Sequence, residues 1–178
     1  MIYLFLYLSG KIMKNINNVE FSLISFILMD MDGVLSDGTL LYLPEGQVVK
    51  SFHAHDGFGI VRGRELGLKF GIISGKTAIV NKLRAERLKI EELYEGIDDK
   101  VSAYDEIRKK YNLKPENFCF IGDDVFDMPL LDKAAFSCAP PEAIREVRDS
   151  VHYVTKTGAG KGCVREVIDF VLRKQGKI

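Results

Sequence analysis

Four short segments of the chain carry side chains whose types and spacing suit phosphoryl chemistry. Asp30 and Asp32 stand two apart in Asp30-Met31-Asp32-Gly33, directly after the apolar run Phe26–Met29. At the end of a strand, period-two geometry can turn both carboxylates to one side. Like charges so close repel, and burying them is costly unless a cation lies between them. A solvated turn is the plain alternative. An EF-hand loop fits poorly, because the glycine comes two places early and Leu41 stands where a bidentate Glu is needed. Gly122-Asp123-Asp124-Val125-Phe126-Asp127 places three more carboxylates after a second apolar run. Hard oxygen ligands beside a phosphate suit Mg²⁺, which needs few protein carboxylates; an acidic loop without metal is the alternative.

The other two segments supply what an anionic substrate needs. Ser74-Gly75-Lys76-Thr77 follows a strand-like run and nearly spells a Walker A loop, but Gly71 and Gly75 are one residue too close for that motif. Such a loop can still offer one hydroxyl and backbone N–H groups to a single phosphoryl group, or it is an ordinary Ser-Gly turn. Lys100 follows Asp98 and Asp99 at the expected start of a helix. A cation there opposes the helix dipole. A lysine reaching into an anionic site explains it better than a solvated surface lysine does.

These segments need elements to hold them, and the chain alternates short apolar runs with amphipathic stretches. Strands are expected at 26–29, 68–73, 92–94, 117–121, 135–138 and 151–154. Helices are expected at 56–66, 77–88, 100–111, 127–133, 141–148 and 161–174, with a hairpin of arms 38–42 and 47–52 around Pro44-Glu45-Gly46. Strands alternating with helices imply an α/β fold, a doubly wound and mostly parallel sheet joined by right-handed crossovers. In such sheets ligands sit outside the carboxyl ends of the strands. All four segments fall at those ends.

Taken in order, the DMDG, Ser74, Lys100 and GDDxxD segments resemble the four motifs of the haloacid-dehalogenase-like phosphatase superfamily. More narrowly, DMDGVLSDG, HDGFGI and TGAGKGCVREV, with no room for a large cap domain, resemble the 3-deoxy-D-manno-octulosonate-8-phosphate phosphatase family. The resemblance implies a Mg²⁺-dependent phosphatase with Asp30 as nucleophile and Asp32 as general acid and base. Mg²⁺ would be held by Asp30, the backbone carbonyl of Asp32 and Asp123, with Asp124 close by or acting through water. It further implies that Gly33, Ser74, Gly75, Lys100, His55 and Asp56 meet a sugar-acid phosphate, and that Asp127 orients Lys100 or supports the metal. The family's hairpin packs into a homotetramer whose neighbouring subunit helps close the site; here the 38–52 arms are apolar enough for that, or could fold on their own domain. Gly158–Gly162 resembles the family's tail region, a lid, a subunit contact or a plain lead-in to a helix. One departure is His55, where an arginine is expected before the Asp-Gly pair. A shorter, partly charged side chain there leaves a nonulosonate 9-phosphate open as the substrate. His53 and His55 without a third ligand do not make a zinc site. With both motif-one aspartates, Lys100 and the GDD pair present, a non-catalytic accessory subunit is disfavoured, and a P-loop nucleotide binder is remote.

The bulk properties agree. The 178 residues are 47% hydrophobic and 28% charged, with 25 basic against 25 acidic residues and no formal net charge. A packed core is expected, and no nucleic-acid partner that depends on a broad basic field. Cys119, Cys138 and Cys163 lack disulfide or zinc spacing and read as reduced residues of a cytoplasmic protein. Met1–Leu8 is too short to span a bilayer and lacks a signal peptide's basic start, so no membrane partner is expected. Residues 1–22 read as an extension, with 1–12 a mis-assigned start or an apolar tail, and 23–178 as one phosphatase domain.

Overall fold

The computed structural model describes residues 13–178, so the expectation for 1–12 falls outside the described residues. Its centre is a six-stranded parallel sheet. β1 (Phe26–Met29) lies inside it, flanked on one side by β4 (Lys69–Ser74) and β5 (Glu92–Glu95), on the other by β6 (Phe118–Ile121), β7 (Phe136–Ala139) and β8 (Tyr153–Val154). β1 pairs in register from Phe26 to Met29 with both β4 and β6. The chain therefore builds outward through β4 to β5, crosses back over β1, and builds outward again through β6. The crevice at this reversal opens above the carboxyl ends of β1, β4 and β6.

The strands are buried on both faces, which is why they read as continuous apolar runs rather than alternating ones. Ile27 and Met29 point into one core with Phe70, Ile72, Cys119, Ile121 and Cys138. That core is covered by α1 (Ala54–Glu65), α2 (Ile79–Leu88) and α6 (Cys163–Lys174). Phe26 and Leu28 point the other way, into a core with Phe118 and Phe120 under α3 (Lys100–Lys110), α4 (Met128–Lys133) and α5 (Arg145–Arg148). The three glycines of α1 that lower its helix propensity do so for contact. A Cβ at Gly63 would overlap Phe70 of β4, and one at Gly59 would overlap Arg165 of α6.

Element boundaries follow the sequence to within a few residues, with informative exceptions. The helix expected over 141–148 forms only at Arg145–Arg148. Pro140 and Pro141 open a turn closed by Ala143 N to Pro140 O at 3.1 Å, and the Ile144 N–H is drawn to Asp123 O at 3.0 Å, which ties this loop to the acidic segment. The hairpin forms, but its paired arms shrink to β2 (Leu41–Tyr42) and β3 (Val48–Val49). Between β1 and β4 the chain inserts this hairpin and α1 and no large cap. The packed body also reaches further towards the N-terminus than residue 23. Phe21 is buried edge-on against Phe136 and Phe170, with Ile16 and Val19 beside the same core.

Candidate active site

β1 delivers Asp30. Its backbone N–H continues the strand ladder to Ile121 O at 3.0 Å, and its Oδ1 accepts the Met31 N–H at 2.7 Å. With its main chain and one oxygen fixed, Asp30 stands 9% exposed at the floor of the crevice. β6 delivers the acidic loop. Asp124 caps the 3-10 turn Val125–Asp127, accepting the Val125 N–H at 2.6 Å. Asp127 reaches back so that its Oδ2 accepts the N–H groups of Asp123 and Asp124 at 2.8 and 3.2 Å.

Lys100, the first residue of α3, joins the two halves. Its Nζ donates to Asp127 Oδ1 at 2.6 Å and pairs with Asp30 Oδ1 at 2.9 Å, and it is 5% exposed. Asp99 caps the helix behind it through the Val101 N–H, so a cation at this helix start is held by two aspartates rather than by the dipole. Oxygen atoms of Asp30, Asp123 and Asp127 all lie within 4.8 Å of one another. Glycines make the crowding feasible. A Cβ at Gly33, whose φ is +86°, would fall onto the Asp123 carboxylate, and one at Gly122 would come within 2.6 Å of Asp127 Cβ and Cγ.

This cluster is electrostatically unbalanced. Burial pushes the Asp30 carboxyl up to about 7, the Asp127 charge adds to the rise, and Lys100 opposes it. Burial likewise pushes Asp123 up to about 8, with Asp127, Asp30 and Asp124 adding repulsion. One lysine against this many carboxylates leaves an excess of negative charge that a divalent cation would neutralise. Buried Asp123 Oδ1 has no hydrogen-bond partner. Since both oxygens of Asp127 are engaged by N–H donors, the carboxylates left to hold a cation are those of Asp30 and Asp123. The residues present fit Mg²⁺, a hard ion content with few carboxylates.

The remaining predicted residues divide. Ser74 ends β4 at 2% exposure, its Oγ bridging the Lys76 N–H (3.2 Å) and carbonyl (3.1 Å), with exposed Gly75 beside it. Asp32 stands at the crevice, but its carboxylate is not part of the Asp30–Asp123–Asp127 group and has its own partners: Lys50 Nζ approaches Oδ1 and Oδ2 at 2.7 and 2.8 Å, and Ser36 Oγ donates to Oδ1 at 3.1 Å. Asp124 is exposed, and its Oδ1 is spent on the cap. Asp56 is not brought to the site. It is fully buried, its two oxygens accepting the N–H groups of Arg165 (2.8 Å) and Gly162 (3.1 Å) at the start of α6. His55 is exposed on the first turn of α1 with its ring 4.8 Å from that of His53. Sequence reasoning missed Lys50 and Asn81, which donate and accept in the Asp32 network; their partner lies 18 residues or more away, where local pattern carries no signal.

Known proteins place this geometry. A haloacid dehalogenase-like hydrolase model matches residues 70–168. The 3-deoxy-D-manno-octulosonate 8-phosphate phosphatase of Escherichia coli (strain K12) is 36% identical over 155 residues, 87% of this chain and 82% of that protein. The chain belongs to this family of haloacid dehalogenase-like phosphatases. Two solved phosphatases of the family superpose closely. The Yersinia pestis enzyme gives a TM-score of 0.86 at 36% identity, covering 88% of this chain and 85% of that one. The Moraxella catarrhalis enzyme, solved with magnesium, phosphate and 3-deoxy-D-manno-octulosonate, gives 0.85 at 33% identity, covering 88% and 90%. As a phosphatase of this family, the chain is a phosphoric monoester hydrolase, and the carboxylates of Asp30, Asp123 and Asp127 could hold a metal ion.

Proposed function

We propose that the protein hydrolyses 3-deoxy-D-manno-octulosonate 8-phosphate to the free sugar acid and phosphate with Mg²⁺ as cofactor. The observation that carries this is the meeting of Asp30, Asp123 and Lys100 at three strand ends, with one buried Asp123 oxygen lacking a partner, in a chain 36% identical to a phosphatase of that name. Mg²⁺ would be held by the carboxylates of Asp30 and Asp123 and the Asp32 carbonyl, with Asp124 acting through water, and it supplies charge neutralisation for carboxylate meeting phosphate.

Asp30 attacks phosphorus through its free oxygen, while Lys100 fixes the other. As the bond from phosphorus to the sugar oxygen breaks, Asp32 gives that oxygen a proton. Ser74 and the Gly75 backbone take the phosphoryl oxygens, and Lys100 offsets their charge. A water molecule then attacks the aspartyl-phosphate, Asp32 takes its proton back, and the bond to Asp30 breaks to release phosphate. Asp127 acts through Lys100 and through the two N–H groups it holds.

The hairpin completes the reading. Leu41 is 58% and Tyr42 71% exposed on a two-residue strand, with Leu43 and Val49 beside them, an apolar tip suited to a homotetramer in the cytoplasm. Changing Leu41 and Tyr42 to Ser is expected to lower the mass measured by light scattering; an unchanged assembly removes the hairpin from the interface. The catalytic proposal is tested with a panel of sugar-acid phosphates and Mg²⁺, beside Asp30→Asn. Wild-type turnover highest on the eight-carbon substrate and a loss of about 10⁴-fold or more in the variant are expected. Equal turnover by the variant removes Asp30 as nucleophile, and preference for a nine-carbon acid overturns the substrate.

A further inference from the structure

Lys50 is the least expected residue of the site. It follows β3 directly, on the arm of a hairpin whose tip is exposed, yet its own side chain is 1% exposed. Its ammonium meets three acceptors: Asp32 Oδ1 at 2.7 Å, Asp32 Oδ2 at 2.8 Å and Asn81 Oδ1 at 2.9 Å. Two of these are hydrogen bonds, to Asp32 Oδ2 and Asn81 Oδ1, and the third is a close ion-pair contact. Asn81, itself fully buried, is fixed in turn, its Nδ2 donating to Lys76 O at 3.2 Å and to Glu95 Oε1 at 2.8 Å. The same Glu95 oxygen accepts the Ala78 N–H at 3.1 Å. A continuous set of bonds thus runs from the β5 end, through the loop after Ser74, to the carboxylate of Asp32.

We propose that Lys50 is a positioning residue for proton transfer by Asp32, aimed by Asn81. This rests on the reading of Asp32 as acid and base. The geometry supports it at the level of single atoms. Oδ1 accepts from Ser36 Oγ and Oδ2 from Lys50 Nζ, so both oxygens are anchored and each keeps a lone pair for the exchangeable proton. A carboxylate is otherwise free to swing about its side-chain torsions, and proton transfer falls steeply when donor and acceptor leave hydrogen-bond reach. Two contacts from one buried ammonium remove that freedom. Charge pairing alone would need only one of them, and would need no buried asparagine behind it.

The proposal predicts selectivity by leaving group. A sugar alkoxide needs a proton as it departs, whereas the acetate leaving acetyl phosphate does not. The measurement is kcat/KM, which covers the steps up to phosphoryl transfer to Asp30, for 3-deoxy-D-manno-octulosonate 8-phosphate and for acetyl phosphate. Asp32→Asn is expected to lower the first by about 10²- to 10⁴-fold with a much smaller fall in the second. Lys50→Met is expected to show the same signature at about 10- to 100-fold, and Lys50→Arg to recover part of it. Asn81→Ala, which leaves the lysine its charge but removes the amide that aims it, shifts the ratio in the same direction and decides the matter should Lys50→Met not fold. If Asp32→Asn lowers both substrates equally, the acid–base reading falls. If Asp32→Asn is selective but the Lys50 and Asn81 variants lower both substrates equally, or neither, the reading stands and the positioning role is refuted.

Discussion

The clustered carboxylates set a stability that depends on pH and metal together. Asp30 is raised from 3.8 to about 7 and Asp123 from 3.8 to about 8, chiefly by burial. A carboxyl whose folded value lies above its unfolded one binds more protons when folded. Its contribution is therefore whole at low pH and is lost as pH rises through the folded value. Between about pH 6.5 and pH 8 both groups lose their protons, the larger share of the loss falling on Asp123, and together this amounts to roughly 2 kcal/mol. Below that window half-buried His152 works in the opposite sense. Burial and the charge of Lys14 lower it to about 4, so folding loses stability as the unfolded state protonates. The comparison therefore begins near pH 6.5. For a chain of this size about 2 kcal/mol corresponds to a melting temperature roughly 4–8 °C lower at pH 8 in EDTA. Mg²⁺ binds the ionised form, and at about 100 times its Kd it returns about 2.7 kcal/mol, so the loss should vanish when the same melts are run with excess Mg²⁺. Asp123→Asn should remove the larger share of the slope. A metal-free protein that melts at the same or a higher temperature at pH 8, or a Mg²⁺ increment equal at the two pH values, would refute the account.

Two further outcomes follow from close approaches in the fold. Gly33→Ala forces a side chain into a left-handed backbone and onto the Asp123 carboxylate; it is expected to cost about 1–3 kcal/mol and to weaken Mg²⁺ binding by calorimetry, whereas unchanged affinity would separate Gly33 from the metal site. Asp56→Ala leaves two buried N–H groups of α6 without acceptors and is expected to lower stability to denaturant by about 2–4 kcal/mol, with kcat on the remaining folded protein changed far less than KM or stability; a large selective loss of kcat would return Asp56 to the substrate.

How much of this was legible in the sequence depends on the distance over which each feature is decided. The strands were readable because each is a short apolar run buried on both faces and stopped by Gly or Asp, as at Met29–Asp30 and Ile121–Gly122. The four polar segments were readable for the same reason, since a strand end fixes where its next residues point. Asp127 gripping Lys100 joins residues 27 apart, and no local pattern encodes it; only the resemblance suggested it. Asp56 illustrates the limit. The resemblance implied that Asp56 meets the substrate, but tertiary packing turns its carboxylate to the N-terminus of another helix. Lys50 sits in an arm of β-branched and aromatic residues, where a lysine reads as solvated until the fold brings Asp32 under it. The helix expected over 141–148 is shorter for a different reason: Pro141 is compatible with a helical first turn, but Asp123 O, far off in sequence, draws the Ile144 N–H away.

The bonds from Asp56 to the start of α6 span 106 and 109 residues, and they have a companion: Val34 O, four residues past Asp30, accepts Gly160 N at 3.0 Å and Cys163 Sγ at 3.3 Å. Asp30 is translated early, but the loop that follows it is braced by chain made more than a hundred residues later. The loop that leads away from the acidic cluster is therefore closed by the segment that opens α6, on the far side of the sequence from Asp30.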